Sequence, residues 1–395
     1  MGAKRTGQGL QQVGPGRWKV TVNIPATGSP DGRRHRRVAY VNGSKRDAER
    51  KRRQMLSLRD SGQLKPVPAG SLDGFLRAWL ESKRSGLRPV ASRTAERWET
   101  LIERQIVPYV GGLALREVSP ASLRGLYCTL ASEGYSGTTI HKVYALLRAA
   151  FLQGQEDGTV QTNPCRRTDA PKKDTGEATA LDEAQAADLL DKLAGSPIYV
   201  PVLVALDCGL RRGELLALKW PDVDEESGYV TIRHAVEESR QSVSIKATKT
   251  GRVRSILLTK RAATALRQHR RTQARQRLAA GQRWHEQGLV FPAAREHRGK
   301  PAGRIWRPSS FSRTFRQATR SQGMRIGVHT LRHTMATVML RAGRPTREVA
   351  DRLGHSSTRL TSDLYQHVLR DQQEQGVAVL EAALVASGMA GSRRA

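Results

Sequence analysis

The chain has 395 residues, with 67 Lys or Arg against 36 Asp or Glu and a formal net charge of +31. That length asks for two or three domains. No run of about 18 apolar residues offers a membrane span, and the charged N-terminus has no apolar stretch behind it that would make a signal peptide. So large a cationic excess asks for a polyanion, and nucleic-acid phosphate is the obvious one.

Residues 1–65 are strongly basic, sixteen Lys or Arg against four Asp or Glu. Within them Arg17–Pro25 alternates Trp18, Val20, Val22 and Ile24 with Lys19, Thr21 and Asn23, the period of a half-buried strand. The turn-rich stretch Pro25–Gly32 leads to a second strand, Arg33–Val41, whose Arg33, Arg34, Arg36 and Arg37 are candidate DNA contacts. Ser44 then caps a short helix reaching Leu58. A basic β-ribbon followed by a helix is one way into a DNA groove.

Leu64–Gly70 reads as a linker, and Ser71–Pro164 as four helices. The first carries Leu72, Phe75, Leu76, Trp79 and Leu80 as one apolar stripe. The second runs from Ser92 and stops near Pro108 and Gly111. The third starts with Ser119 as N-cap and Pro120 at its first position. The fourth turns Ile140, Val143, Leu146, Leu147, Ala150 and Phe151 inward. Cys165–Ala180, polar with Pro171 and Gly176, reads as the link to a third, mostly helical part. That part has a strand pair at Tyr229–Val236 and Val253–Leu258 and a polar helical insertion at Arg270–Trp284. The three cysteines, Cys128, Cys165 and Cys208, are far apart, which fits a reduced intracellular setting.

Phosphoryl transfer at DNA needs an oxygen nucleophile, donors on the non-bridging oxygens and an acid for the leaving oxygen. Four segments supply candidates. In GLRRGELLAL, Arg211 stands one helical turn before Glu214, which can brace it. In TKTGRVRSILL, Lys249 sits before a turn and a strand, where its ammonium could protonate a leaving oxygen. In HTLRH, His329 and Arg332 share a helix face. His329 and His333 also have metal-type spacing, but Thr330 stands where the zinc helix motif wants Glu, so no metal site is expected. Finally, His355 follows Leu353-Gly354, and Tyr365 lies ten residues on. Any one of these is weak alone.

In order, Arg211, Lys249, His329, Arg332, His355 and Tyr365 resemble the tyrosine recombinases, the phage-type integrases in particular. The resemblance is strong over residues 180–370, architectural over 71–165 and loose at the N-terminus. It implies a mainly α, multi-domain chain: an arm-type DNA-binding domain of β-ribbon and helix (1–65), a four-helix SAM-like core-binding domain (71–165), a linker (166–180), a mixed α/β catalytic domain (181–375) and a C-terminal tail (376–395). It implies Arg211 and Arg332 on the scissile phosphate, Lys249 as acid for the 5′-oxygen, His329 as proton donor or acceptor, His355 on the transition state and Tyr365 as nucleophile, with Glu214 supporting Arg211. Only His329, of the two histidines flanking Arg332, matches the motif. The implied partners are double-stranded attachment-site DNA, three further copies of the chain on that DNA, an excisionase and a DNA-bending host factor. No cofactor, metal or ATP is implied, and the setting is the bacterial cytoplasm at the nucleoid. A non-cleaving DNA-binding regulator and a type IB-like topoisomerase are the alternatives.

Overall fold

The computed structural model describes residues 5–6, 9–14, 17–24, 35–61, 70–165, 169–172, 174, 180–248, 251–293, 299, 301–355, 357–365 and 377–385. Most of these residues are helical, with three small sheets. The chain divides into two compact units, Met1–Thr175 and Gly176–Ala395.

The first unit opens with an antiparallel sheet in the order β1 (Arg5–Thr6), β2 (Leu10–Gly14), β3 (Arg17–Ile24) and β4 (His35–Asn42). The expected two-strand ribbon is therefore the larger half of a four-stranded sheet. Its alternation holds: Trp18, Val20 and Val22 are buried, and α1 (Lys45–Asp60) adds Ala48 and Met55 to the same small core. Ser44 caps α1, and Asp47 returns the bond to the Ser44 backbone.

Five further helices of this unit follow: α2 (Leu72–Ser85), α3 (Ser92–Leu101), α4 (Val107–Val110), α5 (Pro120–Ser132) and α6 (Gly137–Glu156). A widened turn of π geometry, Ile102–Ile106, joins α3 to α4. Pro108 cannot donate to the carbonyl four residues back, and a helix adjusts locally where that bond is missing. Ser119 and Pro120 start α5 as their chemistry dictates. All six inward residues named for α6 are buried. Of the stretch read as a linker, Cys165 is buried, and the Asp174 carboxylate accepts from the Gly137 and Thr138 amides at the start of α6.

The second unit contains α7 (Glu183–Lys192), α8 (Tyr199–Cys208) and α9 (Arg212–Ala217). A three-stranded sheet follows, with β6 (Tyr229–Ile232) between β5 (Val223–Asp224) and β9 (Arg254–Leu257). Between β6 and β9 the chain makes a hairpin of β7 (His234–Glu238) and β8 (Val243–Ala247). The helices α10 (Lys260–Ala280), α11 (Pro308–Arg320), α12 (Val328–Arg341), α13 (Thr346–Leu353) and α14 (Thr358–Leu364) complete it. β6 and β9 pair antiparallel with Val230 opposite Ile256. The residues read as an insertion thus begin inside α10, a single 21-residue helix. α8 is apolar on nearly every side, Asp207 being its one charged residue, and lies at the centre of this unit's core. Among the described residues no helix is long and apolar enough to cross a membrane.

Candidate active site

The site is built on two helix ends and one helix. α8 ends at Gly209 (φ 62°) and α13 ends at Gly354 (φ 65°), both in the left-handed conformation that closes a helix and turns its last carbonyls outward. Side chains are excluded at both: a Cβ at Gly209 would collide with the methyl of Met335, and one at Gly354 would stand 2.8 Å from Arg254 Nη1.

Those freed carbonyls hold the arginines. Arg332, on α12 and only 3% exposed, donates from Nη1 to the Gly209 oxygen and from Nη2 to the Leu353 oxygen, each at 2.7 Å. Arg211 donates from Nη2 to the Gly354 oxygen at 3.2 Å and from Nη1 to Glu214 Oε1 at 2.8 Å. Its side chain remains 39% exposed, so part of the fork still faces outward. Arg212 points elsewhere, to Ser312 of α11, which separates the two members of the double arginine.

Glu214 is 2% exposed and serves a second arginine that the sequence reading did not single out. Arg254, at the start of β9, donates to Glu214 Oε2 at 2.6 Å and to the Arg352 carbonyl at 2.9 Å. Burial alone would raise the Glu214 pKa, but the bonds from Arg254 and Arg211 outweigh it and hold the carboxylate below its ordinary value. Burial, followed by the Arg211 charge, pulls Arg332 down to about 9, so it stays cationic at neutral pH. Three guanidiniums are thus gathered against one carboxylate. The surplus positive charge suits an anion that brings several acceptor oxygens.

The histidines and the phenol close the arrangement. His355 follows the α13 cap, and its Nδ1 is 2.7 Å from the Thr361 hydroxyl. Burial, then Arg332 and Arg211, pushes His355 down to about 4. His329 is at the start of α12 and exposed, and it is lowered by desolvation and by Arg332. Tyr365, just past α14, is 1% exposed within a small cluster of Met335, Ala336, Leu340, Val349 and Leu353. Burial raises its pKa to about 12, against the opposing pull of Arg332. Its hydroxyl lies 2.8 Å from Nδ1 of His333. His333 is therefore the site neighbour that motif matching passed over, since only His329 fitted the pattern. Lys249, Arg33 and Arg34 lie outside the described residues. Arg36 and Arg37 stand on β4 opposite Asn23 and Val22. Among the described residues no three His, Cys, Asp or Glu side chains come together as a metal set.

Comparison with known proteins gives this geometry its class. The model of the phage integrase family matches residues 179–372. An integrase of Streptomyces ambofaciens is 27% identical over 381 residues, 92% of this chain and 93% of that protein. Tyrosine recombinase XerC of Roseiflexus sp. is 30% identical over 274 residues, 66% of this chain and 78% of that protein. Among solved structures, the Tn1549 transposon integrase (aa 82–397) in complex with a circular intermediate DNA has a similar fold, with a TM-score of 0.63 at 19% identity over 77% of this chain and 99% of that one. The chain belongs to the phage integrase family and is a tyrosine-type site-specific recombinase.

Proposed function

We propose that the chain integrates and excises a phage or another mobile element, and that Tyr365 is its nucleophile. The observation that carries this reading is the anchoring around the Leu353–His355 turn. One buried and one half-exposed arginine are tied to its carbonyls, with His355 beside them and the Tyr365 phenol hydrogen-bonded to His333, the next residue of α12 after Arg332. Arg211 and Arg332 donate to the non-bridging oxygens of the scissile phosphate, and Glu214 fixes Arg211. His355, with Nδ1 engaged by Thr361, has Nε2 for the same phosphate. His329, exposed at the start of α12, donates or accepts a proton. The Tyr365 oxygen forms a bond to phosphorus while the bond to the 5′-oxygen breaks. Lys249 protonates that oxygen, and a 3′-phosphotyrosine results. The phosphoester retains the bond energy, so a 5′-hydroxyl from a second duplex reverses the step without ATP and without metal.

In the same reading residues 1–65 are an arm-binding domain that uses Arg33, Arg34, Arg36 and Arg37. Residues 71–165 are a SAM-like core-binding domain, 166–180 a linker, 181–375 the catalytic domain and 376–395 a tail. Four copies act on two duplexes in the bacterial cytoplasm, at the nucleoid, assisted by an excisionase and a DNA-bending host factor. Counterion release should make binding fall steeply with salt. The test is a nicked suicide substrate carrying the element's attachment site. Wild type should leave a covalent protein–DNA adduct and Tyr365→Phe none. An adduct from Tyr365→Phe would remove the nucleophile assignment, and plasmid relaxation with no joining of paired sites would mean a topoisomerase instead.

A further inference from the structure

We propose that His333 is a further catalytic residue: its Nδ1 accepts the proton of the Tyr365 hydroxyl as that oxygen attacks the DNA phosphorus. The proposal rests on Tyr365 being the nucleophile. A buried phenol needs a hydrogen-bond partner, and the described structure gives it the imidazole nitrogen at 2.8 Å, within range for direct transfer. Successive residues of an α-helix are about 100° apart. Arg332 and His333 therefore leave α12 in different directions, the guanidinium to the Gly209 and Leu353 carbonyls and the imidazole to the phenol. A clamp and a base thus sit on adjacent residues.

The groups around the His333 ring favour its neutral, proton-accepting form. His329, one turn earlier on α12, stacks edge-on at 4.8 Å between ring centroids. Arg332 is its chain neighbour, Tyr365 faces it from the end of α14, and His355 lies close enough for the two imidazoles to influence each other. Burial, then His329 and Arg332, lowers the imidazole pKa to about 4, so at pH 7 a lone pair is free. An arriving phosphodiester anion offsets those cations and raises the ring's proton affinity at the moment it is needed. The balance is simple. The phenol O–H bond breaks, the proton moves to Nδ1, phosphorus gains the Tyr365 oxygen and loses the 5′-oxygen, and the ring returns its proton to the phenol when the intermediate is resolved.

The experiment is single-turnover formation of the covalent adduct on suicide DNA from pH 5 to 9, with imidazole as an added base. His333→Ala should cleave about 100-fold or more slowly while binding DNA as wild type does, and added imidazole should recover part of that rate. His333→Gln offers an acceptor oxygen of similar reach but cannot carry the proton, so it should be similarly slow throughout that range. A wild-type rate in either variant would overturn the proposal, as would a slow His333→Ala that imidazole does not restore. Tyr365→Phe runs alongside. If it still forms adduct, the nucleophile assignment fails; if it does not and the His333 variants cleave normally, only the present inference falls.

Discussion

The helical core of α2 to α6 and the pocket around α12 solve opposite problems. In the first, the buried set is almost wholly apolar, with Ser71, Asp73 and Gln105 as its buried polar residues, and its many basic side chains stay outside. In the second, Arg332, Glu214, His355 and Tyr365 are buried together, and Arg254 is nearly so. Removing an ion from water costs several kcal/mol even after relaxation, so the pocket gives up stability that the helical core keeps. In the function proposed above, what it gains is donors fixed before the substrate arrives, which is where electrostatic catalysis draws its strength.

That contrast can be broken in four places. Arg332→Lys keeps the charge but loses the fork that spans the Gly209 and Leu353 carbonyls. Adduct formation should fall by about 100–1000-fold, and a near-normal rate would mean the anchored geometry is incidental. Leu147→Ala, in the centre of the helical core, should cost about 2–5 kcal/mol in urea unfolding of the first unit, with the folded fraction still cutting normally. A drop in cleavage per folded molecule would show the two regions to be less separate than their cores suggest. The third is the pH dependence of the second unit. His355 and His333 are held at about 4 in the folded chain, against about 6.5 when unfolded. Above 6.5 both states carry neutral rings. As pH falls from 6.5 to 4 the unfolded chain takes up protons first, so stability should be lost across that window, by up to about 3 kcal/mol from buried His355 and less from half-buried His333. Urea midpoints at pH 7 and 4.5 measure it, and His355→Asn should flatten the change. Smallest, Ser119→Ala removes the α5 cap and should cost about 1 kcal/mol in the first unit, without altering the pH response of the second.

The helical core was legible because its information is local. Caps such as Ser119 and stripes such as Leu72 to Leu80 state their own secondary structure and their own buried face. The first two strands were not, since Arg5–Gly14 is glycine- and glutamine-rich and lacks the alternation that Trp18 to Ile24 shows. Pro108 marks a disturbance where α3 gives way to α4, but the widened form of the turn at Ile102–Ile106 shows only in the backbone. Around α12, motif order named Arg211, Glu214, Arg332 and His355, which the fold brings together, but it could not name partners joined over long separations. Arg254 reaches a carboxylate 40 positions earlier, and His333 meets a phenol 32 positions later. Both lay inside segments already read, Arg254 within the strand Val253–Leu258 and His333 as the histidine that failed to match.

The cross-ties at the two glycine turns have a genetic consequence. Gly209 ends α8 and lends its carbonyl to Arg332, while Gly354 ends α13 and lends its own to Arg211. An inactive allele therefore need not alter a single reactive side chain. A screen for dead recombinase would return alanine or valine at these glycines, and such proteins would still be made and still carry every basic group and the phenol, yet hold them out of alignment.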